Sequence, residues 1–373
     1  MLNSIEINQP KSTGVEQGIT GQNYVAVVVL GYGNIGKQFV EILQRNYKLI
    51  NEQAKESFKL VAVANSRFYQ YNPMGILDVN IESNIQSLSN QCNKQEQVFD
   101  ELVNLVKQKT VVVDLTASEG ISQKYLRFAE NGWHIISANK LAAADAKFAE
   151  SIEHCLKSQN RKWLKNTTVG AALPVQASIK NIRASGDQVR KITGVFSGSL
   201  SWLLGQYDGK VEFMQWVKQA HENAYTEPDP REDLSGQDVY RKALILARES
   251  GLEPKHVVFE PVIPAEYLAG TVDDFWNNQE VINSYMKCLW VEAEKKGQKL
   301  CYLASVSADE LRVELVAVDK KHTAAGLKPG DNIFIIESNW YNENPLVIQG
   351  PGAGREVTAA GVLTDLIEVL QFA

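Results

Sequence analysis

The sequence predicts an α/β protein with two parts: a doubly wound parallel sheet and an α+β domain. Three observations predict it. Short β-branched runs alternate with helical stretches through the first half of the chain, a glycine-spaced turn follows the first run, and beyond Thr168 that alternation gives way to a different pattern. With 373 residues and 44% hydrophobic content the chain can bury a core in each part.

The elements follow in order. Tyr24–Leu30 (Tyr-Val-Ala-Val-Val-Val-Leu) is continuously apolar, as a strand buried on both faces must be. Lys37–Asn46 has helical spacing. Lys59–Ala64 and Val111–Leu115 read as further strands, Ser122–Asn131 as a helix stopped at Asn131-Gly132, and His134–Ser137 as a short strand. Strands alternating with helices imply right-handed crossovers. Later, Pro174–Ala184, Val211–Asn223 and Gln237–Ser250 read as helices. Lys191–Ser197, Tyr302–Val306, Arg312–Val318 and Asn332–Ser338 read as strands of a mixed sheet, and a last helix starts near Val357.

Composition excludes several functions. A net charge of −6 without a Lys/Arg run offers no footprint for nucleic acid or an anionic membrane. No apolar run is long enough to span a bilayer. Residues 1–23 lack the apolar stretch of a signal peptide and read as a disordered lead-in. Cys92, Cys155, Cys288 and Cys301 form no CxxC pair, which fits reduced thiols and a cytoplasmic location.

Gly31-Tyr32-Gly33-Asn34-Ile35-Gly36 directly follows the first strand and opens a helix. The first glycine permits the tight turn, the second lets backbone approach a pyrophosphate, and the third lets helix and strand pack closely. Phosphates then meet the free N–H groups of a helix N-terminus. This context makes the first part a Rossmann-type dinucleotide domain. The second strand ends in Ala64-Asn65-Ser66-Arg67, without the acid that accepts from the 2′-hydroxyl of NAD. Arg67 suits a 2′-phosphate, so NADP is favoured, with NAD retained as an alternative. Thr116, past the third strand, is either a nicotinamide-ribose contact or a helix cap shared with Ser118. Lys140, past the next strand, points into the same crevice. The expected division is 24–165 plus 350–373 for the dinucleotide domain and 166–349 for the substrate and dimerisation domain.

The segment from Tyr225 to Lys242 carries the chemistry. Pro228 and Pro230 keep its first half out of regular helix. Asp238 and Lys242 then stand at i and i+4 on one helix face. Interconverting an aldehyde and an alcohol needs a hydride and a proton. A lysine whose pKa is lowered by burial or a second cation can carry the proton. Lys242 and Lys140 are both candidates, and Asp238 or Glu227 can bind a substrate ammonium. A plain surface ion pair is the competing reading.

Several motifs together resemble the homoserine dehydrogenases. They are Glu227 to Lys242, Val195–Ser201, Thr168–Pro174, and Gly352-Ala353-Gly354 followed by Val357–Gly361 and Asp365. The resemblance is greatest to the dehydrogenase half of bifunctional aspartokinase–homoserine dehydrogenases. It implies reversible NAD(P)-dependent interconversion of L-aspartate 4-semialdehyde and L-homoserine on the route to threonine and methionine. It implies that Lys242 is the proton donor, that Asp238, Glu227 and Lys140 meet the substrate, and that Thr116 and Gly354 meet the cofactor. It further implies a homodimer and a monovalent cation such as sodium on the backbone carbonyls of Val169, Ala171 and Leu173. This chain has Asn166 where relatives carry an acid. The chain's ending at Ala373 leads to the expectation that it has no regulatory domain and little threonine inhibition. Two rivals remain: another dehydrogenase of the same fold, such as one using a thiolate, and a non-catalytic NADP sensor. The first needs an activated cysteine that is not apparent, and the second should have lost Lys242, Asp238 or Lys140.

Overall fold

The computed structural model describes residues 24–76, 102–104, 106 and 109–372. The expected lead-in over residues 1–23 and Cys92 lie outside them. Two six-stranded sheets organise the chain. The first has the order β3-β2-β1-β4-β5-β6, with β1 Val25–Leu30, β2 Phe58–Ala64, β3 Tyr69–Tyr71, β4 Thr110–Asp114, β5 His134–Ser137 and β6 Trp163–Leu164. All its pairings are parallel except that of the short β3, which runs antiparallel to β2.

Every residue of β1 is buried, because helices cover both faces. Val25, Val27 and Val29 pack with Phe39 and Leu43 of the Asn34–Arg45 helix and with Val362, Leu366 and Val369 of the Arg355–Phe372 helix. Ala26, Val28 and Leu30 belong to the opposite core with Ile121, Tyr125, Phe128 and Ile152. The final helix therefore returns across the chain to close the first sheet. Strand order reverses at β1 and β4, so the ligand crevice of this sheet type lies beyond Leu30 and Asp114.

The second sheet is mixed, in the order β12-β11-β7-β9-β10-β8. Its strands are β7 Val189–Val195, β8 His256–Phe259, β9 Gln298–Ser307, β10 Glu310–Asp319, β11 Asp331–Ser338 and β12 Leu346–Pro351. Leu300, Tyr302, Ala304 and Val306, at alternate positions of β9, share a core with Val239, Ala243 and Leu246 of the Gln237–Ser250 helix.

Local readings differ in places. The expected helix Ser122–Asn131 is two short helices, Glu119–Ser122 and Tyr125–Glu130. The Ser122 hydroxyl donates back to the Glu119 carbonyl, a side-chain bond that competes with the helical ladder. The Ser/Gly stretch after Phe196 is a helix, Gly198–Gln206, because Ser197 caps it by accepting from the Leu200 N–H. The helices Ala146–Ser158 and Gln279–Lys295 were not anticipated.

Candidate active site

The glycine turn has the geometry its sequence requires. Gly31 adopts φ 99°, and a Cβ there would come within 2.8 Å of the Leu115 backbone. A Cβ on Gly36 would sit 2.0 Å from the Gly31 carbonyl oxygen, whereas a Cβ on Gly33 would meet nothing within 4 Å. The turn is therefore tight below and open above. The helix beginning at Asn34, Ile35 and Gly36 has no side-chain cap and no acid in its first turn, so its leading N–H groups face the crevice. These residues fit a pyrophosphate.

Around this turn, Asn65 Oδ1 accepts from the Arg67 and Phe68 N–H groups, leaving the Arg67 side chain exposed past β2. Thr116 Oγ1 accepts from the Ser118 N–H, and Ser118 itself makes no side-chain cap, so the cap reading fails at Ser118. Beneath both lies Asp114, fully buried at the end of β4. Its carboxylate accepts from Thr116 N–H at 2.8 Å, Tyr125 O–H at 2.7 Å and Asn139 Nδ2 at 3.2 Å. Burial pushes its carboxyl up to about 6, although these three donors oppose the rise. Sequence reasoning missed this residue, although its place at a strand end in the crevice was the available signal.

Asn139 immediately precedes Lys140, whose Nζ reaches across the cleft to Asp238 Oδ1 at 3.2 Å. Lys242 Nζ stands 2.7 Å from Asp238 Oδ2 and donates to the Phe196 carbonyl at 2.7 Å. Lys242 is buried at 7% exposure, while Asp238 remains partly open to the cleft. Burial works to raise the Asp238 carboxyl, but the Lys242 and Lys140 ammonium groups outweigh it and hold it well below the usual carboxylate range. The i, i+4 pair is thus part of a three-member cluster that joins the segment after β5 to the Gln237–Ser250 helix, which a surface pair is not.

Glu227 is exposed at the rim, with its N–H on Asp233 Oδ2 at 2.8 Å. Asp233 also accepts from Ser199, and burial pushes its carboxyl up to about 6. The sequence did not separate Asp233 from its neighbour Glu232, which is exposed.

The loop after β6 turns through Gly170 and Ala171, both with positive φ. Asn166 Nδ2 donates to Asp365 Oδ1 at 2.6 Å. Asp365 is 1% exposed, its Oδ2 has no partner, and burial pushes its carboxyl up to about 7. Among the described residues no group of three or more His, Cys, Asp and Glu could hold a metal. Gly354, with φ 128°, precedes the final helix.

The glycine turn of the first sheet thus shares a crevice with Lys140, which follows β5 of that sheet and reaches Asp238 and Lys242 on the Gln237–Ser250 helix. Residues 174–367 match the family model for homoserine dehydrogenase, and residues 31–166 match that for the homoserine dehydrogenase NAD-binding domain. The chain belongs to the homoserine dehydrogenase family. It is 39% identical to bifunctional aspartokinase/homoserine dehydrogenase 2 of Escherichia coli, over 96% of this chain and 45% of that one. It is 33% identical to a homoserine dehydrogenase of Schizosaccharomyces pombe, over 93% of this chain and 95% of that one. The chain spans less than half the length of the bifunctional relatives it matches. Its fold is similar to that of a hyperthermophilic archaeal homoserine dehydrogenase mutant solved with NADPH (TM-score 0.72, 20% identity, 93% of this chain and 97% of that one).

Proposed function

We propose that the protein interconverts L-aspartate 4-semialdehyde and L-homoserine reversibly, with NADP favoured over NAD. The observation that carries this reading is the placement of Lys140 and Lys242 on the two oxygens of Asp238, opposite an open glycine turn. When bound, the dinucleotide supplies or accepts the hydride.

The chain's own residues do the rest. Lys242, fixed by the Phe196 carbonyl and Asp238, exchanges the hydroxyl proton of the substrate. Lys140 brings a second positive charge from the dinucleotide domain and orients the same oxygen. Glu227, Asp233 and Asp238 form an acidic rim for the substrate ammonium. Thr116 and Gly354 border the nicotinamide end, and Gly31, Gly33, Asn34, Ile35 and Gly36 hold the pyrophosphate. Residues 24–165 with 352–373 form the dinucleotide domain and 166–351 the catalytic and dimerisation domain, two residues later than expected because β12 stays in the second sheet to Pro351.

A monovalent cation on the carbonyls of Val169, Ala171 and Leu173 belongs to the same reading, supported by the close passage of the final helix, where a Cβ on Gly361 would stand 3.3 Å from the Ala171 carbonyl oxygen. A homodimer is supported by the outer face of the second sheet, where Val347, Ile335, Thr193, Ser305 and Arg312 form one cross-strand row of exposed and half-buried residues. A cytoplasmic location fits the free thiols of Cys155 and exposed Cys288. No described helix is long and apolar enough to cross a membrane.

The test is homoserine oxidation followed by nicotinamide absorbance, with NADP and with NAD, in the wild type and in Lys242→Ala. Homoserine-dependent turnover that collapses in the variant supports the reading. A wild type that binds a dinucleotide but oxidises no homoserine favours the sensor instead.

A further inference from the structure

Asn332 lies near the start of β11, opposite Gly350 of β12, and is fully buried. Neither its amide nitrogen nor its amide oxygen has a hydrogen-bond partner. Two backbone segments press on it. A Cβ on Gly352 would stand 2.0 Å from Asn332 Cγ and Nδ2, so glycine alone lets the chain pass over this amide. On another side is the start of the Gly198–Gln206 helix, where a Cβ on Gly198 would stand 3.6 Å from Ala353 Cβ and 3.9 Å from Asn332 Oδ1. That helix follows Phe196, whose carbonyl holds Lys242.

A buried amide with neither edge satisfied weakens a fold, and a small apolar residue would serve packing alone better. The segment above it has a specific task. Gly352–Gly354 carries the chain from the second sheet to the Arg355–Phe372 helix packed on the first, and Gly354 holds φ 128°. An amide side chain has one donor edge and one acceptor edge, the complement of a peptide unit.

The geometry points to Asn332 as a positioning residue for the Gly352–Gly354 turn. Its amide is completed by the turn's own backbone when the turn seats against the dinucleotide. This rests on the reading of Gly354 as a dinucleotide contact. In the free protein the amide is a latent partner, and ligand binding recovers the hydrogen bonds that folding leaves unmade.

The experiment compares wild type with Asn332→Ala. It reads the ligand-free melting temperature, the melting shift with saturating NADPH, and the NADPH dissociation constant by nicotinamide fluorescence. A ligand-free melting temperature equal to or above wild type is expected, with NADPH bound about tenfold more weakly and a smaller melting shift. Gly352→Ala, whose Cβ forces the turn off the amide, should weaken NADPH in the same way. Wild-type affinity in Asn332→Ala overturns the inference, whether or not the melting temperature falls. A wild type that fails to bind NADPH overturns the dinucleotide reading itself, so the two failures are distinguishable.

Discussion

Lys140, three residues past the end of β5, and Lys242, on the Gln237–Ser250 helix, meet on one carboxylate, 3.2 Å from Asp238 Oδ1 and 2.7 Å from Oδ2. Asp238 thereby neutralises a buried ammonium and fixes both lysines at once. Asp238→Asn keeps the shape and removes the charge, leaving Lys242 buried without a counter-ion. We expect kcat to fall on the order of a hundredfold or more. Stability should fall by about 1 kcal/mol, since Asp238 is partly solvated and a fully buried pair would lose more. Steady-state kinetics and thermal melting check both. Turnover within a few-fold of wild type would sink the assignment.

Asp233 provides the pH test. Burial and the neighbouring Glu227 and Asp238 charges push its carboxyl up to about 6, against hydrogen bonds from Glu227 N–H and Ser199. In the proposed reading its ionised form binds the substrate ammonium, so kcat/KM for homoserine should rise with pH through about 6. Asp233→Asn should flatten that limb and raise the homoserine KM. Because the folded value lies above the ordinary 3.8, the protonated carboxyl stabilises the fold, and this contribution is lost as pH rises through about 6. The variant should therefore be no less stable than wild type at pH 8. A profile identical to wild type would remove Asp233 from the substrate rim.

Much of this site was legible in the chain, for identifiable reasons. Continuous β-branched runs forecast β1, β2 and β4 because a strand buried on both faces tolerates little else. The i, i+4 spacing forecast that Asp238 and Lys242 share a helix face. Lys140 meeting Asp238 is a tertiary fact carried by strand order, visible only as a lysine past a strand end. Asp233 and Glu232 are adjacent acids, and that the first is half-buried while the second is exposed depends on where Ser199 and Glu227 fall in space. The Gln279–Lys295 helix buries only Ile282, Met286 and Ala293, too thin an apolar stripe to stand out in sequence.

Arg67 tests cofactor choice. Asn65 spends its side-chain oxygen on the turn, and no acid stands at that strand end to accept from a 2′-hydroxyl. Arg67→Gln should lower kcat/KM for NADP about tenfold and leave NAD nearly unchanged, as the loss of one guanidinium–phosphate pair requires. Equal losses with both dinucleotides would mean that Arg67 does not select the phosphate.

Asp114 links the two ends of the crevice. Three donors converge on its carboxylate: Thr116 N–H, Tyr125 O–H and Asn139 Nδ2. Asn139 also donates to the Ser118 carbonyl and accepts from the Leu141 N–H, so it fixes the backbone on both sides of Lys140. Asp114→Asn offers one oxygen where two accept and adds an amide donor facing other donors. At full burial such a conflict costs about 1–3 kcal/mol. The conflict shifts Asn139 and with it Lys140, so we expect a lower melting temperature together with a rise in homoserine KM. NADPH affinity should change less, because the pyrophosphate rests on the separate Gly31–Gly36 turn. Thermal melting, homoserine kinetics and NADPH titration separate the effects. A variant with lower stability but unchanged homoserine KM would confine Asp114 to the core and leave the placement of Lys140 to Asp238.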